Sequence, residues 1–478
     1  MSKEIYKFEH EFLAVGEKFP EKKDESSGAK FEFSESHFQL LAKYLEKQKK
    51  SYLFETSYRK NKPGIKFNSY VGVITVKDLA IYVLPKADKD AEDAEGDKTL
   101  WQDRLTFMLS QVYKLKVQTT APANLEWRPN VLLNIFLKKF LDEVAVLLNR
   151  GLIKTYRKTD GNRTALKGKL LFNKQIAVNC VHQERFYVRY TTYDYNHILN
   201  RIIRQALLAI CDITNSSDIK GRATSTLFNF PELDEVAVTP ELFSRLIFDR
   251  KSEDYRNVIK LAEMILLNYS PDLHHGNNHV WTLMFDMNKL WEEFVFVTLQ
   301  RKLTGKLTEC KVTEQDSRDF WNRTDPNKTK TKKVRADIVI STNDGRFVLD
   351  TKWKTPYYKD SSGNVDISDS DLHQMYVYSH IYKMDKGKNS DEKEVKRVAL
   401  LYPRCKDEED ITGEFKDNNA GCDMLFLPGE NTKPKQDEAQ SNDEHKVDWQ
   451  KCRDWQDQIV ERVKSWIDNI QNNNQTTV

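Results

Sequence analysis

Residues 334–354, VRADIVISTNDGRFVLDTKWK, place two carboxylates and an ammonium at a spacing that suits phosphodiester chemistry. Asp350 and Lys352 are two apart, so on an extended strand they project from one face. Asp337 lies in the preceding strand-like run, and antiparallel pairing of the two runs brings it beside them. Hard oxygen ligands suit Mg²⁺, which can hold a scissile phosphate and acidify a water, while the lysine orients that water or offsets developing negative charge. A plainer use is an ion pair at a sheet edge, since 31% of the residues are charged. Charge set into apolar strand runs is costly unless paired or used, which favours the metal-site reading.

The elements that must position these groups follow from periodicity. Val334, Ala336, Ile338 and Ile340 alternate with Arg335, Asp337 and Val339, and Phe347, Leu349, Thr351 and Trp353 alternate with Val348, Asp350, Lys352 and Lys354. This is the period of strands, and Asn343-Asp344-Gly345 between them predicts a hairpin. Upstream, Asp286 caps an amphipathic helix, MNKLWEEFVFVTLQRKL, with Leu290, Phe294, Phe296 and Val297 as core contacts. Glu292 and Glu293 sit near its start, and either can be the one that faces the site. A strand is expected over 307–312, then a basic loop over 327–333 that can reach phosphates. Downstream come a polar loop over 357–366 and a helix from Asp369 or Ser370. On that helix Gln374 and Tyr378, four apart, share a face, where they either pack or hydrogen-bond a phosphate or water. Strands over 395–402 and 422–427, charged inserts over 406–419 and 429–446, and a helix from 448 to about 470 complete the region.

The first part of the chain reads as a helix over 37–48, with Ser36 and Gln39 as a capping box. Strands follow over 52–58, 65–75 and 79–84, with a turn at Lys77-Asp78 and a solvated loop over 87–98. Helices are expected over 99–115 and 130–149, the second opened by Pro129, stopped before Gly151, and buried along Leu132, Phe136, Phe140, Val144 and Leu147. Arg157, Lys158, Arg163, Lys167 and Lys169 make a basic segment on a glycine-punctuated loop or strand, which is either a phosphate contact or a solvated face. Further helices are expected over 193–213 and 254–268. His274, His275 and His279 lack the partner set of a zinc site. The expected class is α/β (α+β multi-domain): a β-rich module over 1–98, a mainly helical region over 99–280, and a domain over 281–478 with a mixed sheet flanked by helices.

At 478 residues the chain supports two or three cores. A net charge of +3, from 75 basic and 72 acidic side chains, provides no global field for nonspecific nucleic-acid binding. The opening residues lack an apolar signal core, apolar runs are broken by charge, and Cys180, Cys211, Cys310, Cys405, Cys422 and Cys452 form no CxxC pair. A cytoplasmic protein with free thiols and no membrane span is expected. Neither GxxxxGK[ST] nor GxGxxG occurs, so no nucleotide site is expected on this chain.

The order of a helix with Glu292, a strand, the Asp337 strand, the Asp350-Thr351-Lys352 strand and a helix bearing Gln374-x-x-x-Tyr378 resembles the PD-(D/E)xK nuclease fold, including the QxxxY helix of its RecB-like members. From about Leu152 onward the chain carries, in order, RTALKGKL (163–170), YDYNHILNRIIRQALLAI (193–210), FDMNKLWEEFV (285–295), RADIVI, VLDTKWK, HQMYVY and LLYP (400–403). By these motifs it resembles the McrC family, nuclease subunits of McrBC-type restriction systems directed at modified (5-methylcytosine) DNA. The resemblance implies that Asp337 and Asp350 ligate Mg²⁺, that Glu292 completes the metal site, that Lys352 serves the attacking water, and that Gln374 and Tyr378 support it. Ala336 stands where the fold's name has proline. The resemblance also implies double-stranded, modified DNA as substrate and a McrB-like AAA+ GTPase hexamer as partner, with GTP bound by that partner. The module around 52–86 would then insert into the hexamer. The rival expectations are a non-catalytic adaptor that activates the GTPase, and a stand-alone DNA repair nuclease.

Overall fold

The computed structural model describes residues 3–20, 30–48, 51–77, 79–85, 94–113, 129–214, 216–267, 280–304, 307, 310–321, 332–354, 358–359, 365–366, 368–384, 395–403, 415–416, 421–427 and 448–475. Contacts divide the chain into two units. Met1–Ile74, Asp78–Pro129 and Met284–Val478 form the first, and Thr75–Lys77 with Asn130–Leu283 form the second. The first 98 residues therefore do not cluster apart from the C-terminal region.

The first unit begins with β1 (Lys3–Phe8), β2 (Phe12–Ala14), β3 (Lys18–Pro20), β4 (Lys30–Glu32) and α1 (Glu35–Gln48). The helix α1 starts at Glu35, two residues before its expected start at His37. The His37 N–H donates to the Ser34 carbonyl (3.0 Å) and the Ser34 N–H to His37 Nδ1 (3.3 Å), so a histidine takes the reciprocal place expected of Gln39. Next come β5 (Phe54–Arg59), β6 (Lys62–Phe67), β7 (Tyr70–Val76), β8 (Leu79–Leu84) and α2 (Ala94–Val112). The single strand expected over 65–75 is two, because Asn68 leaves the ladder and donates to the Ser51 and Tyr52 carbonyls at 3.2 and 3.1 Å. Lys77 has φ +54°, as a tight turn requires, and Asp78 lies outside the described residues. Of the loop expected over 87–98, residues 94–98 are helical and 87–93 lie outside the described residues. Strand β1 pairs in parallel with β8.

The second unit holds α3 (Pro129–Arg150), which opens on its proline and is followed by Gly151 at φ +91°, a left-handed stop that favours glycine. Phe136, Phe140, Val144 and Leu147 are buried along it; the Leu132 side chain lies outside the described residues. The basic segment then forms β9 (Thr155–Arg163) and β10 (Lys169–Leu170), followed by α4 (Phe172–Asn179) and β11 (Phe186–Asp194), in an antiparallel sheet ordered β10-β11-β9. The expected mainly helical region thus carries a three-stranded sheet. Tyr193 and Asp194 close β11 instead of opening a helix. The helix α5 (Ile198–Ile213) begins after His197, whose Nδ1 accepts the Leu199 N–H at 3.2 Å. Completing the unit are α6 (Ser217–Phe228), α7 (Pro240–Ser244) and α8 (Arg256–Leu267). His274, His275 and His279 lie outside the described residues.

The second unit ends at Leu283, within β12 (Val280–Asp286), and in the first unit α9 (Met287–Lys302) follows, capped as expected by Asp286, whose Oδ1 accepts the Asn288 N–H at 3.0 Å. Then follow β13 (Lys311–Trp321), β14 (Lys332–Ser341), β15 (Arg346–Thr351), the short pair β16 (Tyr358–Lys359) and β17 (Val365–Asp366), α10 (Asp369–Met384), β18 (Val395–Tyr402), β19 (Phe415–Lys416), β20 (Gly421–Phe426) and α11 (Trp449–Gln475). The strand expected over 307–312 begins at Lys311 and is longer than expected. Residues 327–331 of the basic loop, most of 357–366, and the charged inserts other than β19 lie outside the described residues.

Six strands form one mixed sheet in the order β13-β14-β15-β18-β20-β19. The pairs β13/β14, β14/β15 and β19/β20 are antiparallel, while β15/β18 and β18/β20 are parallel. Met375, Tyr378 and Tyr382 of α10, spaced to share one helix face, pack with Ala336, Val348, Val398, Leu400 and Met424. Phe347, which alternates with Val348 and so faces the other way, meets Trp466 of α11 edge-on at 5.5 Å. The mixed α/β class expected from the sequence is the one observed. Among the described residues no helix is long and apolar enough to cross a membrane.

Candidate active site

The hairpin of β14 and β15 opens where its carboxylates stand. The ladder runs from Ser341↔Arg346 to Ile338↔Leu349, and the next residues are Asp337 and Asp350. Beyond that point the Thr351 N–H and hydroxyl both donate to Asp337 Oδ2, at 2.9 and 3.0 Å. A side chain thus replaces the partner strand's carbonyl and fixes Asp337 against the end of β15. Lys352, the next residue, keeps one backbone link, its N–H to the Leu401 carbonyl at 3.0 Å.

From the opposite side α10 reads this strand end position by position. Gln374 accepts from Lys352 Nζ at 2.9 Å and donates to Asp350 Oδ1 at 3.1 Å. Tyr378, one turn on, accepts from the Gln374 amide (2.7 Å), donates to the Arg335 carbonyl (2.6 Å), and lies 3.3 Å from Asp350 Oδ1. One turn earlier Asp371 pairs with Lys354 at 2.5 Å. The spacing 371, 374, 378 on a helix meets the alternation 354, 352, 350 on a strand, which is why these two elements can make a continuous polar seam. Lys352 Nζ also lies 2.5 Å from Asp350 Oδ2.

The electrostatics are those of crowded carboxylates in a dry place. Asp350 is fully buried. Burial first, and the Asp337 charge second, raise its carboxyl to about 7, although Lys352 and Tyr378 pull the other way. Glu292, half-buried on α9, is likewise raised by burial and then by Asp337, against a 3.1 Å hydrogen bond from Gln315 Nε2. Its neighbour Glu293 lies 4.0 Å from Lys289, so Glu292 is the glutamate in the field of Asp337. Burial and Asp350 together push the Tyr378 hydroxyl far up, so it remains a donor.

Every residue expected at the site is therefore brought into one neighbourhood. Asp350, Lys352, Gln374 and Tyr378 share one hydrogen-bond network, Asp337 is held beside it by Thr351, and the charge of Asp337 acts on both Asp350 and Glu292. The structure adds three residues. Thr351 holds Asp337, and its place in the D-T-K triplet was visible. Asp371 precedes Gln374 by one turn, a spacing that was also legible. Gln315 stands across β14 from Asp337 with φ +50°, a left-handed conformation unusual for a side chain of this size, and no sequence pattern pointed to it.

The donor set fits a hard dication. Asp337 uses Oδ2 for Thr351, and its Oδ1 accepts no hydrogen bond among the described residues. Asp350 and Glu292, each raised by burial and by the charge of Asp337, mark a cost that a cation would relieve. Among the described residues no three His, Cys, Asp or Glu side chains close into a metal cage. Mg²⁺ does not require one, since it keeps several waters and takes one or two carboxylates plus substrate phosphate.

The chain is 23% identical over 278 residues to the type IV methyl-directed restriction enzyme EcoKMcrBC of Escherichia coli (strain K12), a match covering 57% of this chain and 79% of that protein. Its fold matches a chain from the refined half-complex of a tetradecameric assembly of Thermococcus gammatolerans McrB AAA+ hexamers with bound McrC. That match has TM-score 0.52 and 20% identity over 97% of this chain and all of the other. The family described as the McrBC 5-methylcytosine restriction system component matches residues 65–403, well over half the chain, and this protein belongs to that family.

Proposed function

We propose that the protein is the Mg²⁺-dependent DNA endonuclease subunit of a modification-dependent restriction complex, with a PD-(D/E)xK-type site. The observation that carries this is the hydrogen-bond network of Asp350, Lys352, Gln374 and Tyr378 at the open end of a hairpin, with Asp337 fixed by Thr351 near enough for its charge to raise the Asp350 carboxyl. Asp337 and Asp350 would hold the metal, with Glu292 completing its surroundings. When bound, the ion supplies charge neutralisation at the scissile phosphate and a more acidic water. Lys352 Nζ, held between Asp350 and Gln374, hydrogen-bonds the attacking water or the phosphate oxygen that gains charge. Gln374 and Tyr378 keep that ammonium and the Asp350 carboxylate in register.

The chain carries no nucleotide-binding motif. We assign GTP binding to a partner, an AAA+ hexamer like that of the Thermococcus assembly and acting here as a GTPase, and the substrate to double-stranded DNA carrying a modified base. The complex works in the cytoplasm, and the partner delivers the DNA. Near-neutral net charge supports this division of labour, since the chain alone has little long-range attraction for DNA.

Methylated and unmethylated plasmid incubated with this chain, Mg²⁺ and GTP, with and without the AAA+ partner, tests the proposal. Cleavage of methylated DNA only in the presence of the partner is expected. Stimulation of GTP hydrolysis with no cleavage would establish the adaptor instead, and cleavage by the chain alone would establish a free-standing nuclease.

A further inference from the structure

Lys352 sits just past the end of β15 and keeps one backbone bond, its N–H to the Leu401 carbonyl at 3.0 Å. Its flanking side chains fix the chain further. Lys354 is tied to Asp371 of α10, as described. Trp353, between the two lysines, turns to the opposite side and buries its indole, and its N–H donates to Glu9 Oε1 at 2.7 Å. Glu9 is 1% exposed and follows β1 directly; its own N–H donates to the Leu84 carbonyl at the end of β8 (2.9 Å). The acceptor for Trp353 is thus set by the parallel β1/β8 pair, 344 residues away in sequence.

The same indole belongs to a block of tryptophans. Trp353 lies 5.7 Å from Trp291 and 5.4 Å from Trp101, and Trp455 lies 5.7 Å from Trp291. The Arg104 guanidinium sits over Trp101 and Trp455 at 4.9 and 4.7 Å. Trp291 immediately precedes Glu292. The residues next to both Glu292 and Lys352 are therefore anchored in one rigid aromatic floor, and Glu9 is the group that bonds the Lys352 side of it. A buried indole N–H and a buried carboxylate each cost free energy unless they find a partner, so the two fix one another.

We infer that Glu9 is a positioning residue for Lys352, acting through Trp353, so that the N-terminal sheet sets the register of the site lysine. The catalytic part of this inference rests on the nuclease reading of Lys352; the positional part does not. Misplacement of a reacting group by about 1 Å costs on the order of 100-fold in rate, so a short clamp next to the lysine has leverage on chemistry.

The test labels lysines of the full chain competitively with an amine-reactive ester and reads each site by mass spectrometry, for wild type, Glu9→Gln, Glu9→Ala and Trp353→Phe. Lys352 is expected to label several-fold faster in Glu9→Ala and Trp353→Phe, with Lys289 and Lys302 unchanged. Glu9→Gln, which keeps an acceptor, should stay near wild type. Unchanged Lys352 labelling in both disruptive variants, or a uniform rise at all lysines, overturns the inference. Cleavage by the complex with its AAA+ partner is then expected to fall in the same order, with kcat lowered and DNA KM unchanged. If Lys352→Ala abolishes cleavage while Glu9→Ala and Trp353→Phe leave it intact, the clamp has no role in the chemistry. If Lys352→Ala itself leaves cleavage intact, the nuclease reading fails, and the labelling still decides where Glu9 acts.

Discussion

Gln374 and Lys352 are joined by a 2.9 Å hydrogen bond in which the amide oxygen accepts from the ammonium, and this fixes the other end of the same amide as a donor to Asp350. One uncharged side chain thereby holds both members of an ion pair. Replacing it by leucine, of similar size, removes both bonds without adding charge. Gln374→Leu is expected to slow single-turnover cleavage by about 10- to 100-fold, the usual cost of losing a group that orients a metal ligand. Wild-type cleavage rates in this variant would show that the seam is packing alone.

Tyr378→Phe removes a buried hydroxyl that serves three neighbours. The Arg335 carbonyl and the Gln374 amide each lose a partner in a dry core, a loss worth about 1–3 kcal/mol. Denaturant unfolding should show that destabilisation with an unchanged m value. An unfolding midpoint equal to wild type would mean that water replaces the hydroxyl.

Asp350 gives the metal-free protein a pH dependence of known sign. A carboxyl raised from 3.8 to about 7 in the fold stabilises it fully below pH 3.8, and that contribution is lost as pH rises through 7. Without divalent metal, wild type should therefore melt lower at pH 8 than at pH 6. Asp350→Asn should lose most of that difference. Mg²⁺ should raise the melting temperature at pH 8 in wild type and not in the variant. Equal Mg²⁺ responses in the two would remove Asp350 from the metal site.

The two adjacent glutamates of α9 should separate by function. Glu292 lies in the field of Asp337 and is bonded by Gln315, whereas Glu293 neighbours Lys289. Glu292→Gln is expected to raise the Mg²⁺ concentration needed for half-maximal cleavage by about 10-fold or more, with Glu293→Gln close to wild type. The reverse order would exchange their roles.

Much of the site was legible because strand alternation and helix spacing are local. Asp350 and Lys352 share a face by the period of two, Gln374 and Tyr378 by one helical turn, and a turn at Asn343-Asp344-Gly345 obliges Asp337 to return beside Asp350. What stayed hidden was non-local. Gln315 lies past the strand expected over 307–312, in a polar continuation, EQDSRDFW, that no pattern advertised. Glu9 reaches Trp353 only because β1 and β8 pair in parallel, which no local pattern encodes. The helix boundaries at α1 and α5 slipped because His37 and His197 supply capping bonds that the usual hydroxyl and carboxamide patterns do not foresee. In the second unit composition left loop and strand open: β9, TYRKTDGNR, is as polar as a loop and is held as a strand by its pairing with β11.

The most direct measurement is cleavage of methylated plasmid by the protein with its AAA+ partner, GTP and Mg²⁺, comparing wild type with Asp350→Ala. Loss of cleavage in the variant, with stimulation of GTP hydrolysis retained, is the predicted result. Undiminished cleavage by Asp350→Ala would contradict the assignment of the nuclease site to this hairpin.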